Sequence, residues 1–545
     1  VPFLLPALLL LAFFFILPLI QVIEVSFGGS GDLTLENYDK ALTNGIYQRI
    51  WRTTFEISVS TTLGCLLLGY PVAYFLATSS GRRRTLVFIA VIIPFLTHFV
   101  AQTTVWRIIL GRRGWVNEIL GGIGIIDEPL ELLFTRFSVS VAMIQTFLPF
   151  MILAIYAGMI GIPRGLPMVA QGLGATPLRS FRRVYLPLSM PGVWAGILLV
   201  FALSLGAFAA PDILGNIRHR GIASLLRGGG GFNSALAILL LVTVVILYFV
   251  FVRFIGFRPL YRAGQALILS APETGRNGSP RRLVLGLGVA LVSFYLLLPS
   301  LVVVVLSFNN SIFVRFPPND FTLRWYADYF NGDDPLVHWV GSTITSVETA
   351  TVVALFSVLL GGLVSYSLVR GRFPGKPIIN SLVIAPLIIP TVVTVVIIFR
   401  LYFFHMNFLM GNVLGLAIPH TILALPYVVI ILTATLRNVD EVQEHAAMSL
   451  GANRLTTLRR IIVPQMLPGL AIAAFLAFLV SFNEVIIALL LKTRGFQTLP
   501  MNIWNGRVGE FAPMMAAVST LMLLAAVTFL AGALYLRRRS VRHAT

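Results

Sequence analysis

Twelve apolar stretches, each longer than twenty residues, divide this chain: 2–23, 54–78, 85–110, 138–160, 191–214, 234–257, 283–306, 342–369, 378–404, 413–436, 467–491 and 513–536. About 20 apolar residues are what a helix needs to cross the hydrocarbon core of a bilayer. Within that core every backbone N–H and C=O must be satisfied inside the segment, so stretches of this length fold as helices. Of the 545 residues 57% are hydrophobic and 11% charged, more apolar surface than a soluble domain buries. The expected fold class is therefore all-α, a polytopic membrane protein of about twelve transmembrane helices.

The net charge of +19 would suit a nucleic-acid partner, but the basic residues are scattered over short loops. The positive-inside rule accounts for them better. With the N-terminus on the cytoplasmic side, 24 of the 40 Lys and Arg fall inside and 16 outside; the inner set includes Arg82, Arg83, Arg84, Arg370, Arg372 and Lys376. An even number of spans places both termini on that side. Cys65 is the only cysteine, which excludes an internal disulfide and a cysteine metal cluster. The seven histidines show no ligand spacing with carboxylates, and no phosphate-cradling Gly-x4-Gly-Lys-Ser/Thr or nucleophile motif occurs. The chain is expected to be non-enzymatic, with no catalytic residue, metal site or cofactor of its own. It opens inside an apolar run without a basic n-region or a small-residue cleavage site. That run is expected to be a span rather than a cleavable signal, preceded by a native tail.

One polar loop occurs twice. Leu173, Gly174, Ala175, the arginines Arg182 and Arg183, Pro187 and Pro191 are matched by Leu450, Gly451, Ala452, Arg459, Arg460, Pro464 and Pro468, each 277 residues on (451 − 174 = 277). Around these loops the spans repeat in order. Ser26-Phe27 answers Ser307-Phe308, Glu56 answers Glu348, Tyr74 answers Tyr366, Pro94 answers Pro390, and Pro149 answers Pro426. The expected organisation is a first half over 1–257 with its loop at about 164–190 and a Pro/Gly-rich cytoplasmic linker over 258–282. A second half follows over 283–536 with its loop at about 437–468, then a basic tail over 537–545. Six spans return the chain to its starting side, so the halves form a parallel repeat about an axis along the membrane normal. Prolines inside spans, Pro94, Pro149, Pro386, Pro390 and Pro426, mark kinks.

The second copy, Glu444, His445, Ala446, Ala447, then Gly451, Ala452, Pro464 and Pro468, resembles the EAA loop of bacterial ABC-importer permeases. The first half, through Gly206-Ala207-Phe208 and Pro211 to Gly215, is similar to the first permease subunit of spermidine/putrescine importers. The second half, through Ser481-Phe482-Asn483-Glu484 and Ile503-Trp504, is similar to their second subunit. The resemblance implies a type I importer permease with two subunits fused. It also implies two cytoplasmic ABC ATPase subunits, which bind ATP and Mg, seated on loops carrying Ala170, Gly174, Ala175, Pro187, Pro191, Glu444, Ala446, Ala447, Gly451, Ala452, Pro464 and Pro468. A periplasmic or lipid-anchored binding protein would deliver a small solute through the inner membrane, with lipid around the spans and no nucleic acid. In the first loop Pro167-Met168 stands where acidic residues are expected, so the two docking points are unequal.

Carboxylates within apolar spans cost about 2.5–3.5 kcal/mol each on insertion scales, and each needs a reason. Glu484, beside Ser481 and Asn483, is a candidate for the substrate pathway or for pairing with an intramembrane cation such as Arg400. Asp212 follows a proline near an outer boundary; Glu56 and Glu348 occupy matched outer helix starts, suited to a vestibule or to a helix N-terminus. An acidic pathway suits a polyamine or related cation; the same machinery in relatives carries ferric iron, opines, amino acids or aminophosphonates. A major-facilitator secondary transporter shares twelve spans in two repeats. Its Gly- and Asp/Arg-rich motif is replaced here by Ser79, Ser80, Gly81 and three arginines.

Overall fold

The computed structural model describes residues 2–28, 33–163, 165–216, 219–226, 230–255, 280–311, 316–332, 338–493, 495–506 and 513–544. Most of the linker expected over 258–282 lies outside the described residues. The first half contains α1 (Leu5–Ser26), α2 (Glu36–Thr43), α3 (Gly45–Thr78), α4 (Gly81–Leu96), α5 (Phe99–Ile109), α6 (Arg136–Ile160), α7 (Gly165–Gly172), α8 (Pro177–Leu205), α9 (Ala209–Leu214) and α10 (Gly231–Ile255). The second half repeats the series with α11 (Pro280–Leu306), α12 (Arg324–Asn331), α13 (Trp339–Arg370), α14 (Lys376–Ile388), α15 (Thr391–His405), α16 (Val413–Arg437) and α17 (Glu441–Ser449). It continues through α18 (Arg454–Phe482), α19 (Ile486–Leu491), α20 (Leu499–Gly506) and α21 (Pro513–Ala544). The fold is all-α; among the described residues the only strand-like pairings are two isolated bridges, Asn309 with Phe321 and Thr493 with Phe496.

Among the described residues nine helices are long and apolar enough to cross a membrane, and two bent pairs bring the number to eleven. The twelfth expected span falls on α21, of which Pro513–Thr528 forms an apolar helix among the described residues. Two kinds of expected span are corrected. The third in each half is not a kinked rod: α4 and α5 meet at 101°, α14 and α15 at 98°. In the second half a proline explains the place of the break, because the residue before a proline is pushed into extended backbone. Ile389, ahead of Pro390, has φ −75° and ψ 128°. In the first, Pro94 lies inside α4 and the chain breaks three residues later, at Thr97 and His98. The spans expected at 191–214 and 467–491 instead start earlier, at Pro177 and Arg454. They stop at Leu205 and Phe482, and short helices α9 and α19 follow.

The repeat extends to backbone detail. The residue ahead of α9, Phe208, has φ −123° and ψ −32°; its match ahead of α19, Val485, has φ −120° and ψ −30°. Five-residue π-turns lie at Phe181–Tyr185 and Leu458–Ile462, where Pro187 and Pro464 deprive the following turn of a donor. Hence these prolines lie inside continuous helices and do not close the loops.

The first helix of each half packs largely on the other half. Leu4, Leu11 and Phe15 are buried with Val364 and Leu368 of α13 and Ile398 of α15. Val289 and Leu296 of α11 are buried with Val72 of α3 and Met151 of α6. Lipid tails are as apolar as leucine, so close packing and interhelical hydrogen bonds hold such a bundle together. Small residues permit that approach. A Cβ on Gly158 would sit 2.7 Å from Gly192 Cα, and one on Gly469 would sit 2.3 Å from Thr435 Oγ1, at the positions 277 residues on.

Candidate functional site

Two places combine exposure or a cavity with matched geometry: the paired loops and the space between the halves. In the loops, α7 and α17 end in the same cap. Gly174 and Gly451 have φ +88° and +89°, the left-handed conformation that glycine adopts without a Cβ penalty. The N–H of Ala175 donates to Ala170 C=O and that of Ala452 to Ala447 C=O, both at 3.0 Å. These bonds close a Schellman cap on each helix. Glycine is thus required here for its handedness. Each cap throws one leucine outward: Leu173 is 85% and Leu450 89% exposed. The chain then restarts a helix under a side-chain cap, Thr176 accepting from Arg179 N at 3.3 Å and Asn453 from Thr456 N at 2.8 Å. Arg182, Arg183, Arg459 and Arg460 are exposed beyond.

The two loops differ in chemistry. On α7 the exposed residues include Leu166, Met168 and Val169; on α17 they include Glu441, Val442 and His445. Ala446 is exposed and Ala447 and Ala170 half-buried, leaving a low, small-residue surface. Glu444 does not face outward: it is buried against Arg370 of α13. Sequence reasoning placed Arg370 among inner-loop cations only. Its position at a helix end, four residues after Tyr366, was the available signal.

Between the halves lies a cavity of about 350 Å³. Its wall includes Pro94, Gln102 and Thr146 from the first half and Pro390, Tyr427 and Asn483 from the second, so both helix bends border it. A larger space of about 850 Å³ lies between α13, α18 and α21, with Leu96 its one wall residue from the first half, and is lined almost wholly by apolar side chains such as Leu355, Leu470 and Leu521. The central cavity, shared by the two halves and carrying polar groups, is the better candidate for a pathway.

Of the six pathway candidates only Asn483 lines this cavity. Glu484 stands behind it with its carboxylate turned inward. Oε1 accepts from Ile486 N at 2.9 Å, and Oε2 from Ile487 N at 2.9 Å and Ala488 N at 3.4 Å, capping α19. His420 Nε2 lies 3.4 Å from Oε2, and His420 Nδ1 pairs with Ser481 Oγ at 2.8 Å. The partner expected for Glu484, Arg400, lies over the Phe404 ring. Asp212 is buried in the first turn of α9, 4.0 Å from Arg220. Glu56 pairs with Arg52 at 2.8 Å and with Arg136. Glu348 is exposed. No carboxylate lines the central cavity among the described residues.

Sequence reasoning missed Gln102, Gln145 and His420. Polar side chains inside apolar spans are themselves the signal. Gln102 Nε2 donates to Pro94 C=O at 2.7 Å and Thr97 C=O at 2.9 Å, and its Oε1 accepts from Gln145 at 2.5 Å. It thereby satisfies carbonyls freed at the bend between α4 and α5.

Residues 357–542 match the family described as "Binding-protein-dependent transport system inner membrane component". Over 224 residues the chain is 33% identical to the spermidine/putrescine transport system permease protein PotB of Escherichia coli (strain K12), covering 40% of this chain and 81% of that one. Over 265 residues it is 30% identical to PotC of the same organism and system, covering 48% of this chain and 96% of the relative. A solved bacterial alginate ABC transporter, in complex with alginate pentasaccharide-bound periplasmic protein, has 19% identity and TM-score 0.40. It covers 46% of this chain and 93% of that one. By fold and exposed loops this is a multi-pass membrane transport component. The chain belongs to the binding-protein-dependent inner-membrane permeases, and it is a permease of the type I ABC importer class.

Proposed function

We propose that this permease admits a polyamine or a related small cation. Two cytoplasmic ATPase subunits would drive it, docked on the loops around Gly174 and Gly451. A periplasmic or lipid-anchored binding protein would deliver the solute to the outer face, and both termini lie with the loops on the cytoplasmic side. ATP and Mg belong to the ATPases, and the chain itself catalyses no reaction. The observation that carries this reading is the pair of identical Schellman caps presenting Leu173 and Leu450, two equivalent contacts suited to a two-fold partner. The names of the relatives PotB and PotC favour the polyamine. The cavity wall carries the aromatic rings of Phe95, Phe147 and Tyr427, which suit a cation, and the amide side chain of Asn483.

In the cycle, closure of the ATPases draws the two loops together and tips α8 and α18, exposing the central cavity outward; hydrolysis resets it. The ATPases can do this only by binding one of the two states more tightly. Reconstituted with ATPase and binding protein, the chain should accumulate labelled spermidine only when ATP is supplied on the loop side. Gly451→Val forces a β-branched residue into left-handed backbone at about 1–2 kcal/mol and should abolish ATP-driven uptake while the chain still inserts. Unchanged uptake by that variant would refute docking. Spermidine uptake with no ATPase present would assign the chain to secondary transport, and uptake of ferric iron, an opine, an amino acid or an aminophosphonate in its place would replace the substrate.

A further inference from the structure

The second loop is tied to its own membrane helix by a device absent from the first. Arg370 is the last residue of α13, and its side chain is only 12% exposed. Its Nε and Nη2 donate to Glu444 Oε1 at 2.9 and 2.5 Å, Nη2 also donates to Val439 C=O at 2.7 Å, and Nη1 donates to Glu441 Oε1 at 3.0 Å. Four of the five guanidinium N–H groups are thus spent on α17 and the turn before it. A planar, always-charged fork is suited to holding several acceptors in one geometry, as lysine is not. Glu444, on the opposite side of the contact, is buried, so the pair is shielded from solvent and salt.

The matched positions of the first half have lost both members together. Thr78 ends α3 where Arg370 ends α13 (366 − 74 = 370 − 78 = 292), and its hydroxyl donates to Tyr74 C=O of its own helix at 2.7 Å. Pro167 stands at the position of Glu444 (444 − 277 = 167), and its carbonyl accepts from Ser180 Oγ at 2.9 Å within the same loop. Among the described residues no ion pair joins α7 to α3.

We infer that Arg370 is a positioning residue of the transport cycle, fastening α17 to α13 so that displacement of the second loop moves α13 with it. The inference rests on the ATPase docking proposed above. From α13 the displacement has a close-packed route to the cavity. A Cβ on Gly361 would lie 2.6 Å from Val428 Cγ1 of α16, and the neighbouring Tyr427 lines the cavity wall. Packing this tight passes on movement and does not absorb it. The first loop meets α3 through other contacts, the rings of Tyr70 and Tyr74 against Phe181, Tyr74 against Tyr185, and the hydroxyls of Tyr70 and Ser189 at 2.9 Å. The two halves are therefore coupled by different chemistry, and among the described residues the charged fork belongs to the second.

The test uses the full chain in complex with its ATPase subunits, with Thr391→Cys as a reporter in the central cavity and buried Cys65 left in place. The rate of labelling by a membrane-impermeant thiol reagent is read with and without ATP and Mg, beside the amount of ATPase retained. R370Q is expected to retain the ATPase while the ATP-induced change in labelling shrinks roughly tenfold, within the ordinary range of couplings between sites. R370K, which keeps the charge without the fork, should give an intermediate change and serves if R370Q fails to insert. The exchanged pair R370E/E444R should recover most of the wild-type change, which a merely structural arginine would not. An undiminished ATP response in R370Q and R370K, or no recovery in the exchanged pair, overturns the role of Arg370. A wild-type chain that retains no ATPase instead overturns the docking on which it rests.

Discussion

The carboxylate of Glu484 caps a helix in the middle of a membrane protein, and that task accounts for its cost. Three amides at the start of α19 converge on it, and charge-assisted bonds of this kind are about twice as strong as neutral ones. In the first half the matched residue is Ala207, yet the break before α9 has the same backbone angles. The break therefore does not need the carboxylate; what Glu484 adds is a contact with buried His420, whose Nε2 lies 3.4 Å from Oε2. Glu484→Gln keeps an acceptor but loses the charge. It should lower the stability of the purified chain by about 1–3 kcal/mol while leaving the half-saturating concentration for spermidine uptake unchanged. Thermal unfolding and uptake kinetics read the two separately. A raised half-saturation with unaltered unfolding would put the carboxylate on the substrate. Sequence alone marked Glu484 as a charge needing a partner but could not say which, because the amides that satisfy it exist only once the helix has broken.

Among the elements, the bent third spans form much of the central cavity, and they are held differently in the two halves. Gln102 satisfies Pro94 and Thr97 carbonyls and is itself held by Gln145. Counted from the residue that opens each second arm, His98 and Pro390, Gln102 is answered by buried Thr394 (390 − 98 = 394 − 102 = 292), and one turn further on Ile398 is buried in the apolar cluster with α1. Gln102→Leu should leave two buried carbonyls unpaired and the Gln145 amide with only the longer bond to Leu296 C=O, destabilising the chain by roughly 2–4 kcal/mol. Ile398→Leu, a change of shape at constant volume, should cost less than about 1.5 kcal/mol. Unfolding of both variants in detergent checks the contrast; equal losses would mean that the first bend is not held by its glutamine. Prolines made the second break legible in the sequence and the first only to within a turn, since Pro94 lies inside α4. The angle near 100° was not, since a proline frees a carbonyl but tertiary partners decide how far the helix then turns.

At the scale of the molecule, the 277-residue offset made the two halves legible, while the exchange of their first helices was not. An apolar face reports that a helix lies in a bilayer; it does not report which apolar neighbour it prefers, because lipid satisfies it equally well. The exchange is carried by shape: Leu4, Leu11 and Phe15 fit against α13 and α15, and Val289 and Leu296 against α3 and α6. A polar tie completes it, Thr97 at the first bend and Ser300 of α11 lying 2.9 Å apart through their hydroxyls. Interlocked halves should not depend on the covalent connection between them. A chain cut at residue 270 and co-expressed as two pieces should reassemble, a tag on the second piece recovering the first in equal amount with spermidine uptake retained. Either piece expressed alone should be degraded, since it exposes the helix surfaces its partner covers. Removing residues 2–26 from the first piece should weaken its recovery sharply, although α1 lies at the far end of the sequence from every helix of the second half. Full recovery without those residues would show that the central cluster around Trp106, Phe208 and Trp504 joins the halves by itself and that the exchanged helix is dispensable.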